Sequence, residues 1–158
     1  MTNHADALQA FIEAFKEVLA TMMTSELDVK EVEPARAVDL REEIASSIGL
    51  SGVGEGLFVL VASDRLAHRL VARMLQLSEE ELAASDALDG FGELANMIAG
   101  TAKGLLTDTP FAFRIGLPTV VAGAQGTIRP GLSRVGPGSL VHASVEGAPL
   151  RFGVWLSE

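Results

Sequence analysis

The most constraining feature of this sequence is an order of elements that occurs twice. Residues 5–62 and 85–156 each combine one long helical pattern with about three strand patterns that follow it. In the first segment the apolar residues recur every three or four positions, the spacing of one buried helix face: Leu8, Phe11, Ile12, Phe15, Val18, Leu19, Met22 and Met23. From about Leu27 to Ala62 the pattern becomes strand-like, most clearly in the apolar run Leu57–Val61.

The second segment begins with the longest helical pattern, from about Ser85 to Leu106, and Pro110 predicts a stop just beyond it. Alternation then places four apolar residues on one strand face: Phe111, Phe113, Ile115 and Leu117. Residues 123–138 are rich in Gly and Pro and predict a long loop. Two alternating stretches, 141–145 and 150–156, predict a closing pair of strands.

The repeated order predicts an α+β fold. Its two related helix-plus-three-strand halves would form one antiparallel sheet with the long helices packed on it. Between the halves, Ser63 is a predicted N-cap of a shorter helix, and Ser78 with Glu81 forms a predicted capping box. A chain of 158 residues buries about two thirds of its unfolded surface, so residues 1–158 are expected to form a single domain.

Composition excludes several classes of function. The chain has no cysteine, which rules out disulfides and thiolate chemistry and fits a reducing, cytoplasmic location. No uninterrupted apolar stretch of about 18 residues predicts a membrane span. The net charge of −9, with no basic patch, argues against a nucleic-acid partner.

The helical pattern of residues 85–106 has an unusual polar side. Five residues spaced by four, three, four and three form a stripe opposite the apolar face: Asp89, Glu93, Asn96, Gly100 and Lys103. Glycines flank this stripe at Gly90, Gly92, Gly100 and Gly104, although each costs up to about 1 kcal/mol relative to alanine inside a helix. Either the bare surface inserts into a cleft of a partner, or the glycines pack against a neighbour in the same chain.

The segment from Asp89 to Lys103, D-G-F-G-E-L-A-N-M-I-A-G-T-A-K, resembles the signature helix of the CheC/CheX/FliY phosphatases. That signature is an Asp or Ser, three further residues, Glu-x-x-Asn, and then a proline a little over twenty residues further on. Pro118 stands near that place, one residue closer to the Asn than the pattern, and its role stays open. The first helix offers Glu13-Ala-Phe-Lys16 and no second Asn, so the resemblance is closest to CheX, which has a single site.

The resemblance implies a function for each residue of the stripe. The substrate would be the aspartyl phosphate of a phosphorylated CheY-like response regulator. Asn96 would position the attacking water, and Glu93 would engage the receiver's active-site lysine. Asp89, Gly92, Gly100 and Lys103 are the expected partner-binding residues. The protein would need no cofactor of its own because the receiver supplies Mg²⁺, and the family precedent implies a homodimer.

One alternative remains beside this interpretation. A CheX-like adaptor would bind a receiver without hydrolysing its phosphate, although such a protein has no need of Asn96.

A metal site is not expected, because His4, His68 and His142 lie far apart in sequence and none has a ligand partner at i+3 or i+4.

Overall fold

The sheet and helices follow the predicted order. The computed structural model describes residues 4–52, 55–131 and 138–156, and within them the chain forms three helices and seven strands. The helices are α1 (His4–Met23), α2 (Asp64–Met74) and α3 (Ala84–Leu105). The strands are β1 (Leu27–Ala35), β2 (Val38–Gly52), β3 (Glu55–Ala62), β4 (Phe113–Ile115), β5 (Thr119–Ile128), β6 (Gly138–Val145) and β7 (Ala148–Leu156). None of the described helices is long and apolar enough to cross a membrane.

All strand pairs are antiparallel, and their arrangement reveals the two halves. The order is β1-β6-β7-β3-β2-β4, and β5 pairs with the same strand β2 as the short β4. Without β4, the order is β1-β6-β7-β3-β2-β5, in which each half contributes its first strand to one edge and its second and third strands to the opposite side of the centre. Strands β1, β2 and β3 therefore correspond to β5, β6 and β7, with β3 and β7 paired at the centre. The α+β fold with two related halves is confirmed.

The two long helices carry the same burial pattern, as this symmetry requires. Positions 7, 10, 11, 12, 14, 15, 18 and 19 of α1 are buried, as are positions 87, 90, 91, 92, 94, 95, 98 and 99 of α3. The helices pack on each other and on one face of the sheet, where most of the buried apolar residues form one cluster. Position 13 of α1 thus corresponds to Glu93, and position 16, a lysine, corresponds to Asn96.

Side-chain caps fix the connection between the halves. The hydroxyl of Ser63 accepts a hydrogen bond from the Leu66 N–H at 3.1 Å, which confirms the predicted N-cap of α2. The backbone N–H of Ser78 donates to the Glu81 carboxylate, and the Glu81 N–H donates to the Ser78 hydroxyl. Hydrogen bonding to Ser78, chiefly the bond from its backbone N–H, lowers the pKa of the Glu81 carboxyl. The capping box therefore stabilises a turn and does not begin a helix, because helix α3 begins only at Ala84.

The predicted strand face from Phe111 to Leu117 is wrong at its end. Phe111 and Phe113 are buried, but β4 has only three residues and Leu117 is 90% exposed. The Gly116 N–H bonds to the Gly49 carbonyl at 2.9 Å, and Pro118 has no N–H to continue a strand ladder. The chain therefore leaves β2 after β4 and pairs with it again from Thr119.

The predicted loop over residues 123–138 is also partly wrong, because β5 extends to Ile128. Its pairing with β2 shifts register twice, and Gly123 and Gly126 have φ angles of +61° and +100°. Glycine adopts these angles at no steric cost, so the residues that predicted a loop accommodate irregularities within a strand. Residues 132–137 of the predicted loop lie outside the described residues.

A smaller apolar cluster lies on the sheet face away from α1 and α3, and Trp155 is its largest member. The indole N–H donates to the Ala35 carbonyl at 2.9 Å. Added methyl groups at Gly138 or Gly153 would lie only 2.2 and 2.3 Å from indole atoms. The two bare backbone positions therefore let the indole lie directly on strands β6 and β7.

Candidate functional site

Helix α3 exposes the predicted polar stripe. Asp89, Glu93, Gly100 and Lys103 are exposed, and Asn96 is half-buried. The opposite face is completely buried at its centre, where Phe91, Leu94, Ala95, Ile98, Ala99 and Ala102 have no measurable exposure. Leu105, although apolar, is 53% exposed where the helix ends. The packing of one face thus fixes which side chains the other face presents.

Both ends of α3 lie where local chemistry can support them. Ala83 has extended backbone angles and offers no side-chain cap, so the acidic Asp86 in the first turn is the group that complements the helix dipole. At the other end the Thr107 hydroxyl donates to the carbonyl oxygens of Lys103 and Gly104, at 3.0 and 3.2 Å. The Leu106 N–H bonds to the Ala102 and Lys103 carbonyls. The stripe is therefore carried by a helix that is tied at its C-terminus.

Asn96 lies in a shallow groove between α1 and α3. The groove has a volume of about 400 Å³. One wall comes from α1 and the other from α3, and its lining is mixed in polarity: Glu17, Val18, Thr21, Met22, Asn96, Met97, Gly100 and Thr101. Met22, predicted to face the core, is 42% exposed here. The half-buried carboxamide is therefore within reach of a second molecule that enters the groove.

The side chains of Glu93 and Asn96 form no hydrogen bond or ion pair with the other described residues. Across residues 4–52, 55–131 and 138–156, no side-chain hydrogen bond or ion pair engages Glu93 or Asn96. A carboxamide offers one acceptor and two donors, and a carboxylate offers only acceptors. The surface can therefore orient a water molecule and hold a cationic group, but these two side chains include no strong nucleophile.

The glycines of α3 have two different roles. A methyl group at Gly90 would lie 2.2 Å from Val71 Cγ1 of α2, and one at Gly92 would lie 2.9 Å from Val120 Cγ2. Both glycines are buried, so they serve packing within the chain. Gly92 therefore offers little surface to a second molecule, and its contact with a partner stays a prediction.

Gly100 and Gly104 are different, because both are exposed. A methyl group at Gly100 would meet only Ile115 Cδ1, at an ordinary 3.8 Å, and one at Gly104 would meet nothing within 4 Å. The chain's own packing does not explain either residue. Gly100 lines the groove beside Asn96, so it remains a candidate for contact with a partner.

The loop before β5 adds a residue that the sequence pattern placed in the core. The ring of Pro118 lies 3.5 Å from the position that a Cβ of Gly92 would take, which anchors this loop next to the residue preceding Glu93. Leu117 is consequently held outward and almost fully exposed. The alternation of apolar residues wrongly placed Leu117 on the strand face. The flanking Gly116 and Pro118 indicate a break in the strand and could have predicted its exposure.

Comparison with known proteins places the chain in a family. Residues 44–135 match the model of the family described as chemotaxis phosphatase CheX, and this range contains both the stripe and Pro118. The match covers more than half of the chain. The protein therefore belongs to the CheX family.

Solved structures share its fold across nearly the whole chain. Chemotaxis protein CheX from Vibrio vulnificus aligns with a TM-score of 0.83 and 24% identity, covering 96% of this chain and 99% of that one. CheX from Desulfovibrio desulfuricans gives 0.81 and 20%, with the same coverage of both chains. The CheX–CheY–BeF3–Mg²⁺ complex from Borrelia burgdorferi gives 0.73 and 19%, covering 97% and 99%. No curated protein matches the sequence.

Proposed function

We propose that this protein accelerates hydrolysis of the aspartyl phosphate on a CheY-like receiver domain. The observation that carries the proposal is the free carboxamide of Asn96 in its groove, with the exposed carboxylate of Glu93 one turn earlier. Family membership supports the same activity. A receiver that docked on α3 would bring its phosphoryl group to Asn96, in the cytoplasm where we expect both proteins to occur.

The reaction requires little chemistry from the protein itself. The water oxygen bonds to phosphorus while the bond from phosphorus to the aspartyl carboxylate oxygen breaks. The products are inorganic phosphate and a free carboxylate, and the proton released passes to phosphate or solvent. Asn96 accepts one hydrogen bond from the water and so holds it in line with the breaking bond. Positioning of this kind lowers the barrier because it removes the entropy cost of orienting the water.

Glu93 and the metal have supporting roles in this proposal. The Glu93 carboxylate would bind a receiver lysine and thereby fix the orientation of the docked pair. The divalent cation that neutralises the phosphoryl oxygens would belong to the receiver. The Borrelia burgdorferi CheX structure supports this division, since it is a complex with CheY, BeF3 and Mg²⁺. Asp89, Gly100, Lys103 and the outward Leu117 are the proposed docking contacts around the two residues.

The test is phosphate release from a phosphorylated receiver with wild-type protein and Asn96→Ala. The variant should lose at least about 100-fold in stimulated hydrolysis, or about 2.7 kcal/mol of transition-state stabilisation, and its affinity for the receiver should change less than threefold. Gln9→Ala removes an exposed amide from α1 and should behave as wild type. Equal hydrolysis by Asn96→Ala would contradict the mechanism. Binding without accelerated release by the wild type would identify a receiver-binding adaptor.

We also propose that the protein acts as a homodimer, as its family membership implies. Sedimentation equilibrium should give about twice the chain mass of 16.6 kDa. A species of 16.6 kDa at working concentration would contradict the dimer without affecting the proposed chemistry.

A further inference from the structure

An irregularity in edge strand β1 brings two carboxylates to a histidine on β6. Leu27 and Val29 of β1 pair with Val145 and Ala143, whose side chains face the helices. The register then shifts, and Glu31 pairs with His142. Lys30 is thus an extra residue, a β-bulge. Without it, Glu31 and Glu33 would continue the alternation of Leu27 and Val29 and face the apolar core.

With the bulge, Glu31, Glu33 and His142 converge on the sheet face away from α1 and α3. His142 Nε2 lies 3.2 Å from Glu33 Oε2. One ligand atom from each of the three residues lies within 4.8 Å of the other two. In a tetrahedral zinc shell with bonds of about 2.0–2.1 Å, neighbouring ligand atoms are about 3.4 Å apart. One pair already has nearly that separation, and the third ligand is within reach of a side-chain rotation.

Two cationic side chains lie near this cluster, because Arg41 of β2 and Arg151 of β7 line one pocket with Glu43 and His142. The neighbouring cation on β7 is Arg151, which pairs with His142 in register. Its guanidinium is held by Glu43 at 2.5 Å, so its charge is compensated locally. Glu31 is exposed, while Glu33 and His142 are half-buried. Two carboxylates and an imidazole therefore form a donor cluster that solvent can reach.

We propose that Glu31, Glu33 and His142 bind a divalent transition-metal ion, with Zn²⁺ as the probe. The donor set of one imidazole nitrogen and two carboxylate oxygens suits Zn²⁺ and its neighbours in the first transition row. Mg²⁺ prefers an octahedral shell of oxygens, and so gains little from His142. Three protein ligands leave a coordination position for water. The bound ion would tie edge strand β1 to β6, independently of the proposed chemistry at α3.

The experiment is calorimetric titration of the untagged, chelator-treated protein with Zn²⁺. Wild type should bind one equivalent with a Kd of about 10 µM or tighter, and its thermal midpoint should rise with Zn²⁺ and return after chelation. His142→Ala and the near-isosteric Glu33→Gln should each weaken binding at least tenfold. His68→Ala is the matched control, since His68 lies on α2 with its Nε2 against the Glu79 carbonyl, and it should bind as wild type.

Unweakened Zn²⁺ binding by both His142→Ala and Glu33→Gln would overturn the site, as would a wild-type Kd in the millimolar range. Circular dichroism of each variant before the titration separates loss of ligands from loss of fold. A loss in Glu33→Gln alone, with His142→Ala unchanged, would identify a carboxylate site without the histidine and would also overturn the proposal. Mg²⁺ binding should be weak and should not respond to His142→Ala.

Discussion

At the scale of single residues, Glu93 and Asn96 are neighbours on one helix face with different surroundings. Glu93 is exposed, whereas Asn96 is half-buried in the groove against α1. The carboxylate is therefore freer to change rotamer, whereas the groove restricts the movement of the carboxamide. This difference matches a division in which Glu93 contributes to docking and Asn96 to the orientation of water.

Substitution of Glu93 should affect docking more than chemistry. We expect Glu93→Ala to weaken receiver affinity about tenfold, because a charge-assisted bond contributes about 1.5 kcal/mol or more. Glu13→Ala is the matched control, since position 13 of α1 corresponds to position 93 of α3 in the burial pattern. Surface plasmon resonance with a BeF3-activated receiver measures both. Wild-type affinity and wild-type kcat/KM in Glu93→Ala would exclude its role.

At the scale of elements, α3 combines glycines required for packing with glycines that packing does not require. Gly100→Ala and Gly104→Ala should each raise the free energy of unfolding, by up to about 1 kcal/mol, because alanine is the better helix former and neither methyl group meets a short contact. Urea denaturation measures this gain.

The same two variants should differ in function. The methyl group at position 100 lies beside Asn96 in the groove, whereas position 104 is one turn further from it. Gly100→Ala should therefore lower receiver affinity, and Gly104→Ala should not. If both variants were more stable and bound the receiver equally well, Gly100 would not be a contact.

Sequence periodicity predicted the elements that bury one clear face. Helices α1 and α3 and strands β6 and β7 lie where the spacing of apolar residues placed them. It failed at residues 116–128, because Gly and Pro there indicate a break without showing whether the chain leaves the sheet. At Gly116–Pro118 it does leave, which exposes Leu117, and at Gly123 and Gly126 it stays within β5.

The site was predictable only where its residues share one helix. The stripe from Asp89 to Lys103 follows from helical spacing, and the structure exposes four of its five residues and leaves Asn96 half-buried. The groove wall from α1 and the cluster around His142 were not predictable, since each joins residues far apart in sequence. The bulge at Lys30 determines which face of the sheet Glu31 and Glu33 occupy, and a bulge cannot be predicted from the periodicity of the sequence.

At the scale of the whole molecule, the sheet has a helix-covered face and an opposite face built around Trp155. Gly153→Ala should destabilise the fold by about 1–3 kcal/mol, the usual cost of overpacking, because the added methyl group would lie 2.3 Å from a rigid indole. Gly49→Ala, with nothing within 4 Å, is the control and should be near neutral. Equal unfolding midpoints for the two variants would show that the Trp155 indole does not require a glycine at position 153.

The correspondence of α1 and α3 also bears on how such a chain can change over evolutionary time. Both helices meet the same folding demand, since the same eight positions are buried in each. Only α3 combines glutamate and asparagine at these two polar positions, where α1 has Glu13 and Lys16. Packing constrains the buried positions of both helices, whereas the polar positions can be substituted with little effect on folding. The proposed catalytic pair could therefore be lost or gained in either half by substitutions that leave stability almost unchanged.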